Sequence, residues 1–473
     1  MKYKFCLIIT LITLLLVPGC DEGFFDINTD PNNPEKATPA LVLPSGIAGS
    51  AYVIGGYYQN IGGFWSQHYT QATASSQWVE LEDYSITEND YDGWQYQVLY
   101  SEPLMDLEYI KKETAKTENW SYYLIATLIQ SYDFQILSDL YDEIPFSEAL
   151  SGIDKLSPRF EKGKDVSDSL IARIDLALSK DFTRSSVTHP GAEDLIFQGD
   201  IQQWRKFANT LKLKIYLRWV NVDATKYKTQ IEALLAEDNF LEAPAQMTAF
   251  RNEENGRNPL YETFVSRLSG NLSASATLLD TLRNAGDPRL NAIFDFPLTP
   301  AGGTNHIAIA QGTYRDAITD YATVQELSTP NLNPLDPVYF FTVPEVDFLI
   351  AEAQLRYGTA AKAIEYYKKG IDDSFEHFGI TPDSKFYDAG GAYEYKGLAS
   401  IITQKWIAAA NCRAIESFFD FNRTGYPNFF TVTPVSTIGS QRPQRLLYPL
   451  SERQTNPNTP EFKYVYNKVW WAL

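Results

Sequence analysis

Apolar positions recur at helical spacing through residues 344–378, and this stretch states the architecture most plainly. Val346, Leu349, Ile350 and Ala353 follow the i, i+3, i+4, i+7 pattern of one buried helix face. Pro344 suits the first turn, where its missing N–H has no partner to lose. Gly358 is placed to end the helix in the left-handed conformation. Thr359 then reads as the N-cap of a second helix, with Ala360, Ala363, Ile364, Tyr367, Ile371 and Phe375 on one face. So short a link permits only an antiparallel return, and alanines at 351, 353, 360, 361 and 363 let the two backbones approach closely. A hairpin of this kind leaves apolar surface uncovered, so it predicts further pairs stacked against it.

The same pattern recurs elsewhere. Residues 41–77 predict a helix whose glycines imply close packing, and 94–111 and 120–137 predict a second pair. Residues 165–178 place Val166, Leu170, Ile174 and Leu178 four apart. The next helix starts at Asp200, with Gln203 three residues on in a capping-box arrangement. Its apolar face holds Trp204, Phe207, Leu211 and Ile215, while Lys206, Lys212, Lys214 and Arg218 read as ordinary solvated charges. Residues 226–236 and 274–284 look helical, and a final pair occupies 397–420, followed by a loop-like tail. Between 221 and 343 the periodicity weakens and turn residues cluster. Irregular chain on this scale points to a ligand-facing region.

Composition narrows the reading. The chain has 473 residues and a formal net charge of −19, which argues against a nucleic-acid partner. At the N-terminus Lys2 and Lys4 precede a short apolar run ending in Pro18-Gly19-Cys20, a secretory signal too brief to span a membrane. A cysteine directly after the cut resembles the bacterial lipobox, so Cys20 is the expected site of lipid attachment. Residues 1–19 are then the signal, 20–40 a lipidated tether, and 41–473 one domain. Cys6 leaves with the signal, so only Cys412 stays free, and neither an internal disulfide nor a cysteine metal cluster is expected.

Catalytic signatures are missing. His68, His189, His306 and His377 are scattered, and the sequence holds no HExxH, GxSxG or P-loop. Glu416 and Asp420 share a helix face, which reads as a solvated edge, and Glu352 as a buried structural acceptor. Binding without catalysis would instead use loop aromatics, because C–H faces of sugars stack on rings while polar groups bridge hydroxyls. The candidates are Trp78 and Tyr84 in the early irregular loop, with Tyr314, Arg315 and Tyr321 in the late one.

A set of ordered fragments carries a resemblance. DINTDPNNP (26–34), SDLYDEIPFSEA (138–149), FQGDIQQWRKFANTLKLKIYLR (197–218), GDPRL (286–290), PEVDFLIAEAQLRYG (344–358), NRTGYP (422–427) and RLLYPLSE (445–452) are similar to segments of the SusD/RagB family. Asp142 departs from the family's usual glycine. The resemblance implies an all-α fold of about four tetratricopeptide-like pairs in a superhelical scaffold. It also implies a non-enzymatic outer-membrane lipoprotein, facing the cell exterior, that passes glycan to a SusC-like TonB-dependent transporter. Asp21 and Glu22 behind Cys20 resemble the family's surface-export signal. Some relatives bind calcium, although no Asp-rich loop here has EF-hand spacing. Two alternatives remain open at this level: capture of a peptide or other nutrient on the same scaffold, and an all-α glycosidase or lyase.

Overall fold

A computed structural model describes residues 37–90, 94–183, 188–300 and 302–473. The signal, Cys20 and most of the tether lie outside the described residues. The α-helices of six or more residues are α1 (Pro39–Val53), α2 (Gln59–Trp65), α3 (Trp94–Ser101), α4 (Pro103–Thr117), α5 (Trp120–Tyr141), α6 (Gly163–Leu178), α7 (Ile201–Arg218) and α8 (Lys228–Glu237). They continue with α9 (Ala276–Ala285), α10 (Val343–Tyr357), α11 (Ala360–His377), α12 (Leu398–Ala408), α13 (Ala414–Thr424) and α14 (Leu450–Thr455). The consecutive pairs α4/α5, α6/α7, α10/α11 and α12/α13 make the tetratricopeptide-like scaffold.

Local rules explain most boundaries. Thr342 caps α10 by accepting from Glu345 N, and Thr359 caps α11 by accepting from Lys362 N. Asp200 accepts from Gln202 N and Gln203 N at the start of α7. Gly370 lies so close to Phe348 that a Cβ there would sit 2.8 Å from its ring, which confirms the tight α10–α11 approach. Gly358 is not left-handed as expected: its φ is −114°. What demands glycine is space, since a Cβ would meet Gln354 Oε1, the acceptor for Thr359 N. Asp142, by contrast, does adopt a positive φ of 68° at the end of α5, a conformation natural to glycine.

Two expected helices are shorter. The one predicted over 41–77 passes from α1 through a π-helical turn (Ile54–Tyr58) into α2, then gives way to strand β1 (Tyr69–Gln71). The one over 94–111 is split between α3 and α4 by Pro103. Close packing of α2 is confirmed, for a Cβ on Gly62 would fall 2.2 Å from Ile415 N of α13.

The largest correction concerns charge. Lys214 and Arg218 of α7 and Glu416 and Asp420 of α13 are not solvated; all four are buried. Lys214 pairs with Glu416, and Arg218 reaches Asp139 Oδ2 at 3.0 Å and Glu416 Oε2 at 3.1 Å. Lys405 meets Asp420 at 2.9 Å, and Arg413 meets Glu345 at 2.8 Å. Arg423 grips Glu352 through two bonds of 2.5 and 2.6 Å, giving Glu352 the buried structural role expected of it. Burial alone would raise the Glu416 carboxyl, but Lys214, Arg218, Arg413 and Lys405 outweigh it and hold it below the ordinary carboxylate range. These acids are engaged by the buried ion pairs.

Candidate functional site

Short antiparallel ribbons shape the irregular side of the molecule. Strand β1 pairs with β5 (Leu272–Ala274), setting Tyr69 opposite Ala274 and Gln71 opposite Leu272. Further ribbons join β2 (Ile144–Pro145) to β3 (Phe160–Glu161) and β4 (Ala245–Met247) to β8 (Val338–Phe341). The fourth joins β6 (Phe294–Asp295) to β7 (Thr329–Pro330).

Early and late loops meet at one buried acid. Glu82 accepts from Thr70 Oγ1 at 2.7 Å, from Gln71 N at 3.3 Å and from Gly312 N. Burial pushes its carboxyl up to about 7. Gly312 has a φ of 73° and stands against the C-terminal tail, where a Cβ would lie 2.0 Å from Thr433 Oγ1.

The five residues expected to face ligand divide unevenly. Trp78 is 3% exposed, with its ring set edge-to-face on Phe264 at 5.7 Å. Tyr84 is buried as well, and Tyr314, 4% exposed, packs with Ile309 and Leu327. None of these three rings offers a face to solvent, because ribbons and tail cover the loops that carry them. Tyr321 is half-buried against the same cluster, and Arg315 is exposed with its guanidinium 5.3 Å from the Tyr314 ring centre. The loops do converge, but it is their backbones and buried rings that meet.

A groove of about 560 Å³ opens beside them. Its apolar wall includes Phe264, Leu272, Val324, Leu327 and Leu332, so Trp78 supports the groove from behind through Phe264. At the mouth, Phe296 is 37% exposed and lies parallel to the His306 ring, with centroids 4.1 Å apart and planes at 16°. Both His306 nitrogens are engaged, with Ser328 Oγ at 3.0 Å and Asn291 Oδ1 at 2.9 Å, so the ring is a fixed backing. Burial lowers its pKa, favouring the neutral imidazole. Asp295 and Gln325 line the groove beside Phe296, and partial burial raises the Asp295 carboxyl. An apolar ring flanked by a carboxylate and an amide is a chemistry that suits one face and one edge of a sugar.

Sequence reasoning missed Phe296. The criterion that selected Tyr314, an aromatic ring in irregular chain between 221 and 343, applies equally to Phe296 in Asp295-Phe296-Pro297. Among the described residues no group of three or more His, Cys, Asp or Glu side chains is arranged to hold a metal ion.

Comparison with known proteins places the chain. A family model described as "Starch-binding associating with outer membrane" matches residues 31–449. The chain belongs to the SusD-like family. Solved SusD-like structures agree over nearly their whole length. A SusD homologue from Bacteroides uniformis, 23% identical, matches with a TM-score of 0.75, covering 91% of this chain and 99% of its own. A chitin-binding protein, 25% identical, matches at 0.77 over 92% of this chain and 100% of its own. A chitin-binding SusD homologue from Flavobacterium johnsoniae, 20% identical, also reaches 0.77, with 91% and 98% covered. No curated protein matches the sequence.

Proposed function

We propose that this SusD-like protein is a non-catalytic glycan receptor, held at the outer face of the outer membrane by lipid on Cys20. It binds oligosaccharide in the groove at Phe296 and hands it to a SusC-like TonB-dependent transporter. The observation that carries the reading is the half-open Phe296 ring, braced by His306 and flanked by Asp295 and Gln325. The braced ring needs no reordering to receive an apolar sugar face, so little binding energy is lost to ordering it. Chitin binding by structural relatives supports glycan as the ligand class. The anchor rests on the apolar run ending at Cys20, where each buried methylene of an acyl chain contributes about 0.8 kcal/mol.

The test is titration of the processed protein with a panel including starch and chitin oligosaccharides, oligopeptides serving as the comparison. The expected outcome is glycan binding without new reducing ends, weakened about five- to tenfold by Phe296→Ala. Product release would make the protein an enzyme. Affinity only for oligopeptides would replace the glycan, and full affinity in the variant would move the site elsewhere. Co-purification of a transporter from outer membranes checks the partner; recovery of the protein alone would count against it.

A further inference from the structure

The segment that walls the groove has a second side. Pro330 and Leu332 line the groove, whereas Asn331 and Asn333 line a separate cavity of about 270 Å³. This is the two-residue alternation of extended chain, with apolar residues turned one way and amides the other. Asp336 and Tyr339 continue the second cavity from the same segment. His377, at the end of α11, and Asn411, between α12 and α13, complete its polar lining, while Pro337 and Phe378 add apolar surface.

The chemistry of this lining is specific. No lysine or arginine takes part, which disfavours an anion, and although Asp336, His377 and Cys412 all line the cavity, they are not grouped to hold a metal ion. Burial lowers the His377 imidazole to about 4, so at neutral pH it supplies one donor and one acceptor. Its ring meets Tyr339 edge-on at 5.2 Å, and neither the imidazole nor the Tyr339 hydroxyl has a hydrogen-bond partner among the described residues. Asn411 donates to Ile293 O at 2.8 Å and Asn331 O at 3.3 Å, which leaves its Oδ1 buried and unpaired. Uncommitted donors and acceptors of no net charge match vicinal hydroxyls, which both donate and accept. The volume sits just below the roughly 300–1,000 Å³ of drug-sized ligand sites, a size for one ring.

We propose that this cavity is a second binding site that takes a single neutral sugar ring, separated from the groove by the single segment 330–333. It stands on its own lining and does not require that the groove bind glycan.

The experiment is saturation-transfer NMR on the processed full chain with glucose, galactose and N-acetylglucosamine, glucuronate serving as the anionic comparator. Measured in the Phe296→Ala background, which removes the groove's contribution, the expected result is binding of a neutral sugar, weakened at least about fivefold by Tyr339→Phe and by His377→Phe. Thermal melts verify the fold of each variant. If His377→Phe fails to fold, Tyr339→Phe, which removes only a hydroxyl, decides the matter. No neutral-sugar signal in that background, preference for glucuronate, or full affinity in Tyr339→Phe would each overturn the proposal.

Discussion

Replacing Glu416 by Gln deletes one charge from a buried network without changing its shape. The network joins the cations Lys214, Arg218, Lys405, Arg413 and Arg423 to the anions Asp139, Glu345, Glu352, Glu416 and Asp420, so its formal charge is zero. Glu416 contacts Lys214 directly, Arg218 at 3.1 Å and Arg413 at 3.4 Å. At the two arginine separations each attraction is worth about 5 kcal/mol with an effective dielectric of about 20, most of it offset by desolvation. Deletion leaves those desolvation costs in place, strands Lys214 and takes one of their carboxylate partners from Arg218 and Arg413, so the expected loss is about 3–5 kcal/mol of unfolding free energy. Urea unfolding at neutral pH measures it. Lys214→Met should cost less, because Glu416 keeps two arginines, and the double variant should cost clearly less than the sum of the singles. The result should also survive high salt, which screens surface pairs but not buried ones. A Glu416→Gln loss below about 1 kcal/mol, or strict additivity, would refute a coupled network.

Other outcomes follow from the same geometry. Burial pushes Asp133, which accepts from Ser50 Oγ, up to about 8. The folded chain therefore keeps a proton that the unfolded chain releases above about pH 4, and stability falls as pH rises from about 4 to about 8. This group contributes up to about 1.4 kcal/mol per pH unit, and Asp133→Asn should remove that share of the slope in pH-dependent melts. Gly62→Ala should destabilise by about 1–3 kcal/mol, read as a lower melting temperature, because its Cβ meets the Ile415 backbone. Trp78→Ala should cost about 3–5 kcal/mol of stability as a core cavity, whereas Arg315→Ala should leave the melt unchanged. Cys20→Ser should abolish incorporation of labelled fatty acid, and labelling that persists would remove the anchor from the reading.

The sequence was most legible where a fold rule acts locally. The α10–α11 hairpin and its Thr359 cap follow from spacing within about thirty residues, although Ala360 and Ala361 are exposed and do not join Ala351, Ala353 and Ala363 in the buried seam. Burial of the charges was not legible in this way. Lys214 and Glu416 lie 202 positions apart, and helical period marks only which positions share a face, not which neighbour covers them. The misplaced aromatics have a similar cause. Trp78 and Tyr314 lie in chain without period, which invites an exposed reading. In the folded protein Thr437 N bonds Asp83 O, and the tail at Thr433 closes on Gly312. A tail that reads as loop turns out to be the cover over both loops, and Phe296 stands open beside the groove outside that cover.

The buried network also reaches the wall between the two cavities, and this has a measurable consequence. Arg413 holds Glu345 through Nε at 2.8 Å and donates from Nη1 to Tyr339 O at 3.2 Å. Two residues earlier, Asn411 pins Ile293 O and Asn331 O, the carbonyls flanking the β6–β7 ribbon. One turn therefore carries both the ion pair and the clamp. Arg413→Lys keeps the charge but loses the forked geometry that serves Glu345 and Tyr339 together. Amide exchange in residues 292–295 and 329–333 should then accelerate beyond what the global stability change accounts for, and groove affinity should fall although no groove residue has been altered. Exchange that rises only in step with global stability would mean that the ribbon holds itself, through its own two-strand pairing, and that the ion pairs act on the scaffold alone.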